Sequence, residues 1–459
     1  MSKDLQQMVS AFLQRHADMG KPVLLALSGG PDSTALFHIL RQCRERQCFP
    51  LHVAHVDHGW REESSREAQL LQSQVESLGL PWHGLKLNPH EIKGNLEEAC
   101  RQARLQFFQS LCRTYHCQAV ALGHHADDQA ETVLKRIFEG ASLTHLCGIQ
   151  AVKVMPELTL WRPLLGATKQ EIGQWLKAHH LDSFEDKTNT DSRFTRGRMR
   201  TALLPMLSGQ FGKQIAAPLS RLGADAQELR HYLDVRIETY LSDKLQGRMG
   251  LLVDLRQQPV AHPLEYKHLV RKLCEEAALL LSRESVELIS QWLAHNTANR
   301  QVSAGLHSIY IDRRCIFMPD RAVPMDLPLA PQALQLGTLH FGSWQIMVEK
   351  ITGACPACTE GGWKAVWRGR CQAVLPGHLN LADCLLAAPN HLPKAPAGAS
   401  TDFSSLDKLW TNHKVPAFMR SKAPVIWHAQ SGIVHEFLSG QAPKSPLTAH
   451  GFYRVSLFF

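Results

Sequence analysis

The chain has 459 residues, 44% hydrophobic and 20% charged, a globular composition too long for one ordinary core, so two to four domains are expected. No stretch approaches 18 uninterrupted apolar residues, which argues against a membrane-spanning helix, and the start, Met1-Ser2-Lys3-Asp4-Leu5-Gln6-Gln7, opens an amphipathic helix without the apolar core of an export signal. A cytoplasmic chain with its twelve cysteines reduced is the expectation, and a formal net charge of +8 tilts it modestly toward polyanionic partners.

In chain order, the apolar run Val23-Leu24-Leu25-Ala26-Leu27 predicts a buried strand, followed by a helix from Thr34 to about Cys43. Leu51-His52-Val53-Ala54-His55-Val56 predicts a second strand ending in Asp57-His58-Gly59, then a helix from about Arg61 to Leu78 and a short strand near His83–Leu87. Asn95-x-x-Glu98 reads as a capping box opening a helix to about Tyr115. Ala119-Val120-Ala121-Leu122 predicts a strand ending in Gly123-His124-His125, with a helix from about Asp127, and Thr168-x-x-Glu171 caps another through His179. Continuous apolar strands alternating with helices imply an α/β fold, a doubly wound, Rossmann-like parallel sheet with right-handed crossovers. Such sheets bind ligands at the carboxyl ends of their strands. From about Pro218 to Asn299 the pattern is helical; Pro319–Pro331 reads as a linker and Pro389–Ser400 as loose chain. Between them lie short β-like runs at Trp344–Val348, Val425-Ile426-Trp427 and Ile433-Val434. The expected division is a catalytic domain over 1–205, a helical domain over 206–318 and a smaller α+β domain over 319–459.

Three segments at strand ends carry chemistry. Ser28-Gly29-Gly30-Pro31-Asp32-Ser33 has the make-up of a phosphate cradle: glycines let the backbone approach an anion, and hydroxyls and helix N-terminal amides donate to it. No G-x-x-x-x-G-K-[ST] occurs in the chain, and Asp32 places a carboxylate where Mg²⁺ could bridge to phosphate. Gly123-His124-His125-Ala126-Asp127-Asp128-Gln129-Ala130-Glu131-Thr132 packs two imidazoles and three carboxylates together, with Asp127 and Asp128 at a helix N-terminus. Adenylation chemistry uses such groups, a carboxylate for the metal and a base for an incoming amine. In Ala54-His55-Val56-Asp57-His58-Gly59, period-2 alternation sets His55 and Asp57 on one face and His58 on the other, which favours a loop beside the nucleotide over a metal site.

Ser-Gly-Gly-x-Asp-Ser resembles the pyrophosphate loop of ATP-pyrophosphatases, and the three motifs in this order resemble the tRNA(Ile)-lysidine synthetases. Further matches are Asn95-Leu96-Glu97 with Arg101 and Arg104, Arg162-Pro163-Leu164-Leu165, Glu185-Asp186-x-x-Asn189 running to Arg196 and Arg200, and Lys414-Val415-Pro416 with Arg420 and Pro424. The chain departs from that pattern at Glu139-Gly140-Ala141-Ser142, at Arg104-Leu105 and at Arg196-Gly197-Arg198-Met199-Arg200. The resemblance implies that ATP adenylates the wobble cytidine of a CAU-anticodon tRNA(Ile) at C2, releasing pyrophosphate, and that the amine of free L-lysine then displaces AMP. It further implies ATP-binding residues Ser28, Gly29, Gly30, Pro31, Asp32, Ser33, His55, Asp57, His58 and His124, with Asp32 also holding Mg²⁺. Asp127 or Asp128 would lie near the reacting base and amine, and Arg104 and Arg200 would offset negative charge. Two alternatives stand beside this one. Cys355-Pro356-Ala357-Cys358 would suit a tRNA thiolase carrying an Fe–S cluster or persulfide, and Cys371 and Cys384 follow at intervals that just permit a Cys₄ zinc site; a non-catalytic tRNA-binding module would need no intact loop. A basic strip, Lys408, Lys414, Arg420 and Lys422, could position tRNA.

Overall fold

The computed structural model describes residues 4–47, 49–57, 59, 62–88, 96–184, 195–242, 244–322, 326–352, 361–393, 403–441 and 451–459. These divide into two compact units, 1–231 and 232–459.

The first unit is built on a six-stranded sheet ordered β3-β2-β1-β4-β6-β5, from β1 (Val23–Ala26), β2 (Leu51–Asp57), β3 (Trp82–Lys86), β4 (Ala119–Ala121), β5 (Val152–Met155) and β6 (Leu158–Trp161). All pairings are parallel except β5 with β6, an antiparallel hairpin at one edge. Helices α1 (Leu5–His16), α2 (Pro31–Gln47), α3 (Glu62–Ser77), α4 (Leu96–Tyr115), α5 (Ala126–Phe138) and α6 (Lys169–Ala178) accompany it. The strands read as unbroken apolar runs because both sheet faces are covered. Val23 and Leu25 pack with Leu5, Val9 and Leu13 of α1, whereas Leu24 packs with Phe108 and Leu111 of α4. Each such leucine or valine contributes about 1.5–3 kcal/mol by leaving water, so the sheet centre is held from both sides.

The predicted order of strands and helices is present, and α2 begins three residues earlier than expected, at Pro31, whose fixed φ and missing N–H suit a first helical position. The Thr168–Glu171 capping box is present with both reciprocal bonds. The one centred on Asn95 lies outside the described residues. After α6 come α7 (Thr195–Arg198), a π-helical turn (Met199–Leu203), α8 (Leu204–Phe211) and α9 (Ala216–Ser242).

The second unit contains a five-stranded antiparallel sheet, β7-β8-β11-β10-β9, from β7 (Lys244–Gly247), β8 (Gly250–Asp254), β9 (Arg300–Ala304), β10 (His307–Asp312) and β11 (Cys315–Pro319). Helices α10 (Pro263–Glu276) and α11 (Arg283–Ala294) share its core through Leu269, Leu273, Ile289 and Leu293. The helical stretch expected over 218–299 is therefore interrupted. Gly247 and Gly250 flank a tight turn that makes β7 and β8 a hairpin, where the i, i+3 apolar spacing of the neighbouring helices masked a period of two.

Two four-stranded antiparallel sheets follow. One, ordered β12-β16-β17-β18, uses β12 (Gln332–Ala333), β16 (Cys384–Ala387), β17 (Val425–His428) and β18 (Gly432–Glu436). The other, β13-β14-β19-β15, uses β13 (Gly337–Phe341), β14 (Trp344–Ile351), β15 (Arg370–Pro376) and β19 (Phe452–Phe458), with α12 (Trp363–Arg368) and α13 (Phe403–Asn412) completing the unit. The three short β-like runs read from sequence are parts of β14, β17 and β18. No helix among the described residues is long and apolar enough to cross a membrane.

Candidate functional site

Strand order reverses between β1 and β4, and the crevice outside their carboxyl ends is where an open α/β sheet receives a ligand. Two of the three motif segments border that crevice, the Ser28 loop after β1 and Gly123-His124-His125 after β4. The third, Asp57, ends β2 beside them.

The loop is ordered by its own side chains. Ser33 Oγ accepts from the Ser28 amide (3.1 Å) and donates to Gly30 O (3.1 Å), while Thr34 Oγ1 donates to Gly29 O (3.2 Å). Gly29 holds φ at +86°, and a Cβ there would come within 2.8 Å of Phe184 Cδ2. Gly123 marks the closest approach from the other side, since a Cβ on it would lie 3.0 Å from the backbone carbon of Asp32 and the amide nitrogen of Ser33. Only glycine lets the third motif sit against the start of α2. The first amides of α2 are left to whatever anion enters the loop.

His125 gathers the carboxylates. It is 2% exposed and caps α5, with Nδ1 accepting from the Asp127 amide (3.2 Å) while its own amide donates to Asp128 Oδ2 (3.0 Å). Its Nε2 lies 3.6 Å from Asp32 Oδ2 and 3.4 Å from Asp128 Oδ2, so one ring joins the phosphate loop to the third motif. Its Nδ1 also stands 3.4 Å from Asp127 Oδ2. A neutral ring uses Nδ1 as the helix cap; a protonated ring turns that N–H toward Asp127 instead. Burial alone would lower the pKa of His125, but the bond to Asp127 and the charges of Asp128 and Asp32 outweigh it and raise the pKa. Asp127 is correspondingly held low by His125 and by the Lys169 amide, which donates to its Oδ2 at 2.8 Å.

Arg200, in the π-helical turn, closes the cluster. Its Nε donates to Glu131 Oε1 (2.7 Å), and its Nη2 donates to Asp128 Oδ1 (2.9 Å) and Glu131 Oε2 (3.1 Å). Asp32 differs from its neighbours: burial first, and then the charge of Asp128, push its carboxyl up in spite of His125, Lys169 and Arg200. Its Oδ1 is buried with no hydrogen-bond partner among the described residues. Asp32, Asp127 and Asp128 meet around one imidazole. Among the described residues no three acidic, histidine or cysteine side chains are arranged to hold a metal by themselves, but the orphaned Asp32 oxygen could serve a hard divalent cation whose other ligands come from a bound phosphate. A metal held by one or two carboxylates plus phosphate oxygens is the form in which Mg²⁺ usually binds.

The remaining expected residues have other surroundings. His55 is buried, with Nδ1 2.8 Å from Leu27 O and its ring stacked on Trp82, and burial lowers its pKa. Asp57 accepts from the Gly59 amide (2.9 Å), Ser64 Oγ (2.7 Å) and Ser65 Oγ (3.0 Å), bonds that keep it ionised against its burial. Asp57 braces the loop after β2, whereas His55 ties β2 to Leu27 at the entrance of the Ser28 loop. His124 is half-buried at the end of β4, and Arg104 stands exposed on α4 near Cys100. His58, Glu185, Asp186, Asn189, Cys355 and Cys358 lie outside the described residues. Cys371 and Cys384 are buried thiols, and burial raises that of Cys384 to about 11.

Sequence reasoning placed His125 and Glu131 in the third motif but gave neither a role in the site. The signal for His125 was the spacing His125-x-x-Asp128, a capping box with imidazole in place of a hydroxyl. Glu131 follows Asp128 by one helical turn and so shares its face.

A family model described as a PP-loop domain matches residues 1–207. The chain is 36% identical over 438 residues to the tRNA(Ile)-lysidine synthase of Protochlamydia amoebophila, covering 94% of this chain and 92% of that one. It is 37% identical over 286 residues to the tRNA(Ile)-lysidine synthase of Chlamydia muridarum, covering 62% of this chain and 88% of that one. Among solved structures, the U34-tRNA thiolase NcsA of Methanococcus maripaludis, with its [4Fe-4S] cluster, aligns at a TM-score of 0.42 and 17% identity over 49% of this chain and 78% of that one.

Proposed function

Because the chain belongs to the tRNA(Ile)-lysidine synthase family, with a PP-loop domain for ATP, we propose that its substrates are ATP, free L-lysine and the wobble cytidine of a CAU-anticodon tRNA(Ile). The enzyme is an ATP-dependent ligase, and this reading displaces both the thiolase and the non-catalytic alternative, since both named relatives are tRNA(Ile)-lysidine synthases and the Protochlamydia one aligns over 94% of the chain. The cytosol, where tRNA, ATP and lysine meet, is the compartment proposed.

In this reading Ser28–Ser33 and the first amides of α2 receive the pyrophosphate portion of ATP. The C2 oxygen of the cytidine attacks the α-phosphorus, forming a P–O bond as the bond to pyrophosphate breaks. The lysine amine then adds at C2, and AMP departs with the former C2 oxygen. Asp32, with Asp128 beside it, would hold Mg²⁺ against the phosphates, where it supplies charge neutralisation. Asp127 and Asp128 stand at the N-terminus of α5, within reach of one proton relay through His125, and would take up the proton that the amine releases. Arg200 holds Asp128 and Glu131 in place. His55, Asp57, His58 and His124 would line the nucleotide side, Arg104 would face the RNA, and residues 206–318 and 319–459 would position the tRNA. Within the basic strip, Arg420 pairs with Asp407 and bonds Val415 O, and Lys422 pairs with Asp326, so Lys408 and Lys414 are the exposed pair offered to RNA.

The observation that carries the reading is the meeting of Asp32 and Asp128 at His125 Nε2, at 3.6 and 3.4 Å. Replacing Asp32 by Ala removes the carboxylate with the orphaned oxygen, so pyrophosphate release from ATP in the presence of tRNA should fall by at least about 100-fold with unchanged thermal melting. Near-normal release would overturn the assignment of Asp32. ADP and orthophosphate as products would overturn the reading of the loop.

A further inference from the structure

Arg162 directly follows β6 at the same carboxyl edge of the sheet, one strand beyond the His124–His125 turn. It is 8% exposed; Nη1 donates to Gln150 O at 2.7 Å, and Nε is buried with no hydrogen-bond partner among the described residues. A buried guanidinium normally faces a carboxylate. Among the described residues, none of Arg101, Arg136, Lys153 and Arg162 forms an ion pair with one.

The charges that act on Arg162 and on Lys153 are cations instead: Arg101 on both, with Arg136 and Arg230 on Lys153. Arg136 Nη1 donates to His145 O and lies 3.8 Å from Cys147 Sγ, and Arg230 Nη1 lies 4.0 Å from the same sulfur. Lys153 on β5 is in register with Leu160, two residues before Arg162. Burial pushes Arg162 down to about 10, with the charge of Arg101 adding to it. Lys153 is solvent-exposed at its surface but partly enclosed along its stem, and that enclosure, followed by the charges of Arg162, Arg101, Arg136 and Arg230, lowers it as well. Like charges crowded at a strand end, one of them buried and short of an acceptor, are a site completed by an anion. Guanidinium forks match the oxygens of phosphate.

We propose that Arg101, Arg136, Lys153 and Arg162 form a second phosphate site, distinct from the Ser28–Ser33 cradle, that takes phosphodiester oxygens of the RNA substrate. The inference rests on the tRNA reading above. Two features favour RNA over the phosphates of ATP. Strand β4 separates β1 from β6, which sets Arg162 roughly 10 Å along the sheet edge from the Ser28 loop. The cations also run outward, from buried Arg162 to exposed Arg101 and Lys153 and to the edge strand β5. An extended charged edge suits a polyanion that continues past the pocket, and such contacts hold the backbone in register while the base is read elsewhere.

The test uses the full chain carrying Arg101→Gln and Lys153→Gln, both exposed positions, with Arg162→Gln as a separate variant. Affinity for a CAU-anticodon tRNA is measured across a salt series, affinity for a non-hydrolysable ATP analogue by calorimetry, and folding by thermal melting. The double variant should bind tRNA about fivefold or more weakly near 100 mM salt, with the slope of log K against log[salt] reduced by about 0.7–0.9 for each phosphate that the protein no longer neutralises. Its melting and its affinity for the ATP analogue should match wild type, and Arg162→Gln should weaken tRNA binding in the same way if it melts normally. Unchanged tRNA affinity and slope in the double variant would overturn the proposal while leaving the tRNA reading intact. Loss of ATP-analogue affinity with tRNA binding intact would assign the cluster to the nucleotide and overturn it too. Failure of the wild-type chain to bind tRNA would overturn the tRNA reading, and this proposal with it.

Discussion

His125 performs two tasks with one ring, capping α5 and bridging three carboxylates, and the two can be separated. Asparagine is also a good helix N-cap, so His125→Asn should keep α5 while removing the charge. The folded-state pKa of His125 lies above its ordinary value, so its ionic contribution is fully present below about pH 6.5 and fades as pH rises through the folded value. Asp127 is shifted the other way, and its contribution fades only as pH falls below the carboxylate range. The difference in melting temperature between wild type and His125→Asn should therefore be greatest between about pH 4 and 6.5, corresponding to roughly 1–3 kcal/mol, and should shrink toward alkaline pH. A difference that does not vary with pH would mean that the ring serves only as a cap. Activity should fall in the variant at every pH, because Asp32 and Asp128 lose the group that joins them.

At the scale of elements, the turn from β1 into α2 depends on Gly29, and its two constraints can be told apart. Gly29 and Gly20 both hold positive φ, +86° and +94°, but a Cβ on Gly20 meets nothing within 4 Å whereas one on Gly29 strikes Phe184 and Leu71. Gly20→Ala should cost only the backbone strain, about 1 kcal/mol, and leave ATP affinity alone. Gly29→Ala should cost about 1–3 kcal/mol and weaken ATP binding, read by melting and calorimetry. Equal effects at both positions would mean that the crowding is relieved at no cost. The sheet that carries this turn was legible because strands buried on both faces leave uninterrupted apolar runs, and because each motif begins where such a run stops. The carboxylate cluster was legible as a list of neighbours. Two things stayed hidden. Arg200 joins Asp128 and Glu131 across roughly seventy residues of sequence, a pairing that no local period encodes. That Arg162 meets no acid among the described residues is a property of the folded edge, where Gln150 and Lys153 arrive from a hairpin. The β7–β8 hairpin was missed for the opposite reason, its period-2 pattern being too short beside 27 helical residues of α9.

At the scale of the molecule, residues beyond 320 cannot be removed without consequence for what precedes them. Leu252, Cys315 and Phe317 share one core with Trp344, Trp367 and Val455, so a chain cut at 320 would leave a large apolar face in water. Loss of tRNA use in such a truncation would report unfolding, and substitutions at Lys408 and Lys414 are the cleaner probe of the proposed positioning role. The central claim, that this chain joins lysine to tRNA at the cost of one ATP cleaved to AMP, is tested most directly by incubating it with ATP, Mg²⁺, labelled L-lysine and a CAU-anticodon tRNA(Ile). The expected result is label in the RNA at the wobble nucleoside, with AMP and pyrophosphate formed in step with it. Pyrophosphate release with no lysine in the RNA, or lysine incorporation into tRNAs regardless of anticodon, would contradict the account.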